Sequence, residues 1–143
     1  MPILWRPQMS VGNPLIDADH RYLMCLINTV ELALRTVVGR DILQVAFDQL
    51  TEYTHEHFER EETLQIALHY AHYDHHKKAH LGLTERLASI RRQCEDHVND
   101  GTASEKDFDA LAALLRSWLL DHVLKEDMLM KPMLAEHEAA HKS

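Results

Sequence analysis

The chain has 143 residues and a net charge of -8 with its 12 histidines counted neutral. That length supports one domain with a real core and is too short for two ordinary ones. The acidic balance argues against a polyanionic partner, which removes DNA and RNA binding from the leading readings.

Four glycines and four prolines leave little to punctuate the chain, while Leu, Ala, Glu, Lys and Arg are plentiful, so long helices and an all-α class are expected. The first residues, MPILWRPQMS, read as a short N-terminal arm. They lack the basic stretch, long apolar core and cleavage site of a signal peptide. No apolar run approaches bilayer length, so a cytoplasmic address and no membrane partner are expected. VGNP breaks the chain ahead of Asp17, the expected N-cap of a helix over roughly 17–38. Steps of three and four residues stack on one helical face, and here they give His20, Leu23, Ile27, Val30, Leu34 and Val37.

Gly39 and Asp41 end that run and open a second, roughly 41–68, with the seam Leu43, Phe47, Leu50, Thr54, His57, Glu61, Leu64 and Leu68. His55 and Glu59 share the spacing of His57 and Glu61 but point elsewhere; Glu56, Glu59 and Glu62 read as a charged outer face. HYAHYD closes this helix. The third, roughly 74–98, turns His76, His80, Leu83, Leu87, Ile90 and Cys94 inward. Gly82 within it costs about 1 kcal/mol against Ala; it either admits a close helix approach or is merely tolerated. NDGTAS then precedes a fourth helix, roughly 104–130, whose seam is Phe108, Leu111, Leu115, Trp118 and His122. Pro132 is expected to stop or kink that helix. The tail MKPMLAEHEAAHKS either forms a short amphipathic helix or frays, with Met128, Met130 and Met133 packing the end of the bundle. Short connections favour antiparallel neighbours, so the expected architecture is an up-down-up-down antiparallel four-helix bundle, one domain over 1–143. Cys25 and Cys94 read as reduced, buried thiols.

All four helices therefore aim a histidine at the core. Buried imidazoles and carboxylates are costly to desolvate unless paired or bound to metal. A lone core histidine is ordinarily just hydrogen-bonded, but five converging with carboxylates point to a metal site. Imidazole with carboxylate and no thiolate suits iron, manganese or zinc. A single tetrahedral zinc needs four ligands and this core offers more, which favours two ions.

The order His20, then His57 and Glu61, then His76 and His80, then His122 and Asp127, in the contexts IDADH, HFEREE, HHKKAH and WLLDHVLKED, resembles the hemerythrin family, specifically the prokaryotic bacteriohemerythrins. The likeness runs from about Trp5 to Met130, and a seven-residue pattern across four helices is far more specific than any single histidine pair. Asn13-Pro14 departs from the family's simpler entry to the first helix and touches no ligand. Helical geometry alone resists one member of the pattern. Residues five apart lie about 140° apart on an α-helix, so His122 shares its face with Glu126 and not with Asp127. A wide turn or π-bulge would reconcile the two. The family pattern selects Asp127 and leaves Glu126 as a solvent-facing neighbour.

The resemblance implies two iron ions per chain, bridged by Glu61, Asp127 and an oxo or hydroxo group. His76, His80 and His122 complete one iron, whereas His20 and His57 leave the other with an open position for dioxygen. It implies reversible, non-enzymatic oxygen binding for carriage, storage or delivery. The alternatives are a sensor module for oxygen, nitric oxide or redox state with a protein partner, and a di-iron oxidase or peroxidase. Leu23, Phe58, Trp118, Leu119 and Val123, apolar and close to ligands, are the expected walls of a dry pocket as well as core residues. No further carboxylate on the seams offers a proton relay. His55, His69, His72, His75, His97, His137 and His141 are assigned to solvent or helix ends.

Overall fold

The structure is a computed structural model that describes residues 2–36, 40–99 and 104–142. The expected inward Val37, the Gly39 break, most of the NDGTAS turn and the side chain of His141 lie outside the described residues. Among the described residues the chain is helical with no strand.

Helix α1, Pro14–Leu34, starts earlier than expected because Asn13, not Asp17, caps it. The Asn13 side-chain oxygen accepts from the backbone of Leu15 at 3.0 Å and of Ile16 at 3.1 Å. Pro14 occupies the first turn, where a missing N–H costs nothing. Asp17 instead ties the arm down, accepting from Ser10 Oγ at 2.5 Å and from the Val11 backbone at 2.9 Å. Gly12, at φ +85°, makes the intervening turn in a region that side chains disfavour. Asn28 fixes the start of the arm by exchanging hydrogen bonds with the backbone of Ile3 at 2.8 and 3.0 Å.

Helix α2, Arg40–Ala67, closes through His69 at φ +55°, with Tyr70 N–H reaching the Gln65 carbonyl at 2.9 Å. Helix α3 spans Tyr73–Asn99. Helix α4, Glu105–Ser117, opens on a reciprocal cap between Ser104 and Asp107. A π-helical turn over Trp118–Val123 follows it and leads into α5, Leu124–Met128. The fourth helix ends at Met128, ahead of Pro132 as expected, and Pro132 lies in the first turn of a separate helix, α6, Lys131–Lys142, so the tail is helical.

Helix α1 packs on α2, α2 on α3, α3 on α4, and α4 returns to α1, which makes a helical bundle. Arg116 clamps the α1 to α4 contact with two hydrogen bonds to the buried Glu31, at 2.6 and 2.8 Å. The apolar seams are buried as their period requires, with Leu64, Leu68 and Phe108 only half-buried. Cys94 is buried, but Cys25 is exposed, because the inward positions around it on α1 are Leu23, Met24, Leu26 and Ile27. Gly82 faces open space, so no close approach of helices requires it.

The core has two apolar parts. The larger contains Leu23, Phe58, Leu83, Trp118, Leu119 and Val123; the smaller gathers Val11, Ile16, Met130 and Leu134, with Leu64, Leu68, Tyr70, Met128 and Met133 against it. On α1 the chain passes from Ile16 through His20 to Leu23, and on α2 from Phe58 through Glu61 to Leu64. On α3 His76 and His80 precede Leu83, and Asp127 falls between Val123 and Met130. The polar residues thus form a layer between two apolar ones.

Candidate metal centre

Six of the seven expected ligands meet in that layer. His20, His57, Glu61 and Asp127 form one group and Glu61, His76, His80 and Asp127 a second, with one ligand atom of each residue within 4.8 Å of the others in its group. Both carboxylates belong to both groups. All six residues are buried, none more than 3% exposed, so solvent cannot relieve their charge.

Each imidazole presents the same nitrogen to the centre. Nε2 of His20 lies 2.6 Å from Asp127 Oδ2, and that of His57 is 3.1 Å from the same oxygen and 3.4 Å from Glu61 Oε2. The His76 Nε2 is 3.1 Å from Asp127 Oδ1, and the His80 Nε2 is 3.1 Å from Glu61 Oε1. Nδ1 of His57, His76 and His80 meets a carboxylate outside the set. His57 has Asp19 at 2.8 Å, His80 has Glu62 at 3.1 Å and His76 has Glu126 at 3.8 Å; the Nδ1 of His20 has no partner among the described residues.

Two of these outer carboxylates correct sequence expectations. Glu62 and Glu126 are only 20% and 19% exposed in their side chains and touch ligand imidazoles; they are not a solvated face. Asp19, which sequence reasoning passed over, is a buried carboxylate beside the site and off the seam traced on α1. The signal for it was present: Tyr53, His57 and Arg60 stack at spacings of four and three on α2, a face that bears on the residue just before His20. Glu56 and Glu59 are exposed as expected, and His55, His69, His72 and His75 lie at the surface, with His97 and His137 half-buried.

His122 does not join the other six. It is exposed, while Trp118, Leu119, Val123, Leu124 and Asp127 take the inward positions of this segment. The wide turn foreseen for this stretch exists, but it covers Trp118–Val123 and so lies almost wholly before His122. Between His122 and Asp127 the chain is mainly α-helical, and the angular offset of about 140° persists.

Electrostatics favour a cation here. Burial, and then the charge of Asp127, push the Glu61 carboxyl well above its usual range. For Asp127 burial works in the same direction, but hydrogen bonds from His20 and His57 outweigh it and hold the group far below. Burial and the neighbouring His76 lower His80 to about 3, so its imidazole stays neutral, the form that binds metal. Glu61 Oε2, Asp127 Oδ1, His76 Nε2 and His20 Nδ1 are buried polar atoms without a hydrogen-bond partner. Each such atom costs about 1–3 kcal/mol. A divalent ion at each group satisfies the inward-facing ones, so the donor set fits a metal pair.

Comparison with known proteins agrees with this chemistry. Residues 11–134 match the model of the hemerythrin HHE cation binding domain. The chain is 26% identical over 135 residues to a bacteriohemerythrin of Stenotrophomonas maltophilia, covering 94% of this chain and 83% of that protein. It is 29% identical over 125 residues to a bacteriohemerythrin of Pseudomonas paraeruginosa, covering 87% and 76%. A hemerythrin-like protein of Naegleria gruberi is 25% identical over 133 residues, covering 93% and 94%. No solved structure matches the chain.

Proposed function

Because the chain belongs to the hemerythrin HHE cation-binding family, we propose that it binds dioxygen reversibly at a pair of iron ions, for carriage, storage or delivery, without enzymatic turnover. The observation that carries this reading is the sharing of Glu61 and Asp127 by two buried groups of ligands. His20 and His57 would hold one ion and His76 and His80 the other, with Glu61 and Asp127 placed to serve both groups. An iron pair bound there would supply the electrons that dioxygen binding takes up. We further propose that the four long helices alternate up and down, which the short segments 35–39, 68–72 and 100–104 between them support. Among the described residues no helix is long and apolar enough to cross a membrane.

Leu23, Phe58, Trp118, Leu119 and Val123 keep water and protons from the centre. All are at most 4% exposed and belong to the larger apolar cluster. Phe58 stacks on His80 at 3.9 Å with rings nearly parallel, and Trp118 spends its one donor on the Leu83 carbonyl at 2.9 Å. Neither offers a proton to the site. This shell favours binding over oxidase or peroxidase turnover. Leu119→Ser is expected to retain iron but to speed autoxidation on the order of tenfold, about 1.4 kcal/mol of barrier; an unchanged rate, measured by loss of the oxygenated spectrum, removes Leu119 from the pocket wall.

His122 is the proposed fifth imidazole. Its entry requires the wide turn to slide from before it to between it and Asp127.

Anaerobic titration with ferrous iron tests the reading directly. Burial, and then the charge of Asp127, raise the proton affinity of Glu61, and carboxylates bind metal ionised, so metal competes with protons for this site. Two ions taken up per chain with acidification of a weakly buffered solution are expected. Uptake of one ion, or of none, contradicts the reading.

A further inference from the structure

Resting on the iron-pair reading, we propose that Asp19 is a positioning residue that orients His57 through its Nδ1 and sets how strongly that imidazole donates to the ion at the His20 and His57 end. Asp19 sits one residue before His20 on α1, yet its carboxylate serves α2. Oδ2 accepts from His57 Nδ1 at 2.8 Å and from Arg60 Nε at 2.9 Å, and Oδ1 accepts from Arg60 at 2.9 Å and from the Tyr53 hydroxyl at 2.6 Å. Four donors thus fix a side chain that is itself buried.

This support is unequal across the centre. The partner of His80, Glu62, is a fifth exposed and its other ion-pair contact is the solvent-side Lys77 at 3.8 Å. Glu126 stands 3.8 Å from His76, beyond hydrogen-bond reach. His20 has nothing at its outer nitrogen among the described residues. Among the described residues, His57 alone of these imidazoles has a carboxylate fixed by three further donors against its outer nitrogen. A carboxylate at the outer nitrogen fixes the tautomer and ring plane and raises the basicity of the metal-facing nitrogen. An electron-rich imidazole favours the ferric over the ferrous ion and so lowers the potential of the pair.

Tyr53 and Arg60 modulate the same effect. Their donors draw charge from Asp19, and the Tyr53 hydroxyl, pushed up to about 12 by burial and by Asp19, stays protonated and keeps donating. Removing that hydroxyl returns charge to the carboxylate. Two substitutions therefore have opposite expected signs, which a general loosening of the fold does not produce.

The test is the midpoint potential of the iron-loaded full chain, with iron affinity measured alongside, for wild type, Asp19→Asn and Tyr53→Phe. Asp19→Asn is expected to weaken iron binding about 10–100-fold and to shift the potential upward. Tyr53→Phe, a partly buried site, is expected to keep iron and shift the potential downward. If Asp19→Asn does not fold, the Tyr53→Phe shift decides alone. Potentials equal to wild type in a loaded chain, or shifts of the same sign in both variants, overturn the role of Asp19 and leave the function reading standing. A wild-type chain that takes up no iron pair overturns both.

Discussion

Glu61→Leu is expected to end uptake of the metal pair and at the same time to lower the melting temperature of the metal-free chain. Glu61 is fully buried, Oε2 lacks a hydrogen-bond partner, and His57, His76 and His80 lie within 3.1 to 3.5 Å of its oxygens. It belongs to both ligand groups, so its loss removes a donor from each ion. Without metal, the same carboxyl is a desolvated group in a crowded polar layer. Removing one member of a buried polar cluster leaves its partners behind unpaired, here His80 Nε2, 3.1 Å from Glu61, at a cost of about 1–3 kcal/mol. A loss of about 1 kcal/mol moves the melting midpoint of a chain this size by a few degrees. In wild type, iron should add stability by mass action, whereas in the variant iron should change nothing. A variant that still loads both ions, or a metal-free variant that melts at or above wild type, contradicts this account.

His122→Ala carries the second large effect, and it separates ligation from folding. The side chain is exposed, so its removal is expected to change the stability of the metal-free chain by no more than about 0.5 kcal/mol. If the wide turn slides past His122 on loading, the variant loses an imidazole from the ion held by His76 and His80, and that ion is lost on dialysis. Amide hydrogen exchange over residues 118–127 should then differ between metal-free and loaded wild-type chain. Retention of both ions by the variant shows that the six gathered residues suffice.

Much of this was legible before any coordinates. Periods of three and four residues identified most inward positions of the four helices, His122 excepted, and the interruption of apolar stripes by His57, Glu61, His76 and His80 marked the site on the very positions that are buried. Helical period reports which way one helix faces. It does not report what the neighbouring helix brings, which is why Asp19, Glu62 and Glu126 were assigned to no role or to solvent. Cys25 was misplaced for a related reason: apolar neighbours in sequence do not make a position inward when it falls on the other side of the helix. Asn13 lost to Asp17 as the expected cap because both residue types cap well, and the choice depended on how the arm returns across the helix start. The wide turn was inferred from the spacing of His122 and Asp127, but spacing sets only the need for an extra residue in the turn and not its location.

The central claim is tested most directly by visible absorption of the iron-loaded, reduced chain through repeated exposure to oxygen and removal of it. The account expects a new charge-transfer band on oxygenation that disappears under vacuum and returns undiminished over several cycles, with iron content constant. A band that forms once and persists, or a spectrum indifferent to oxygen, contradicts it.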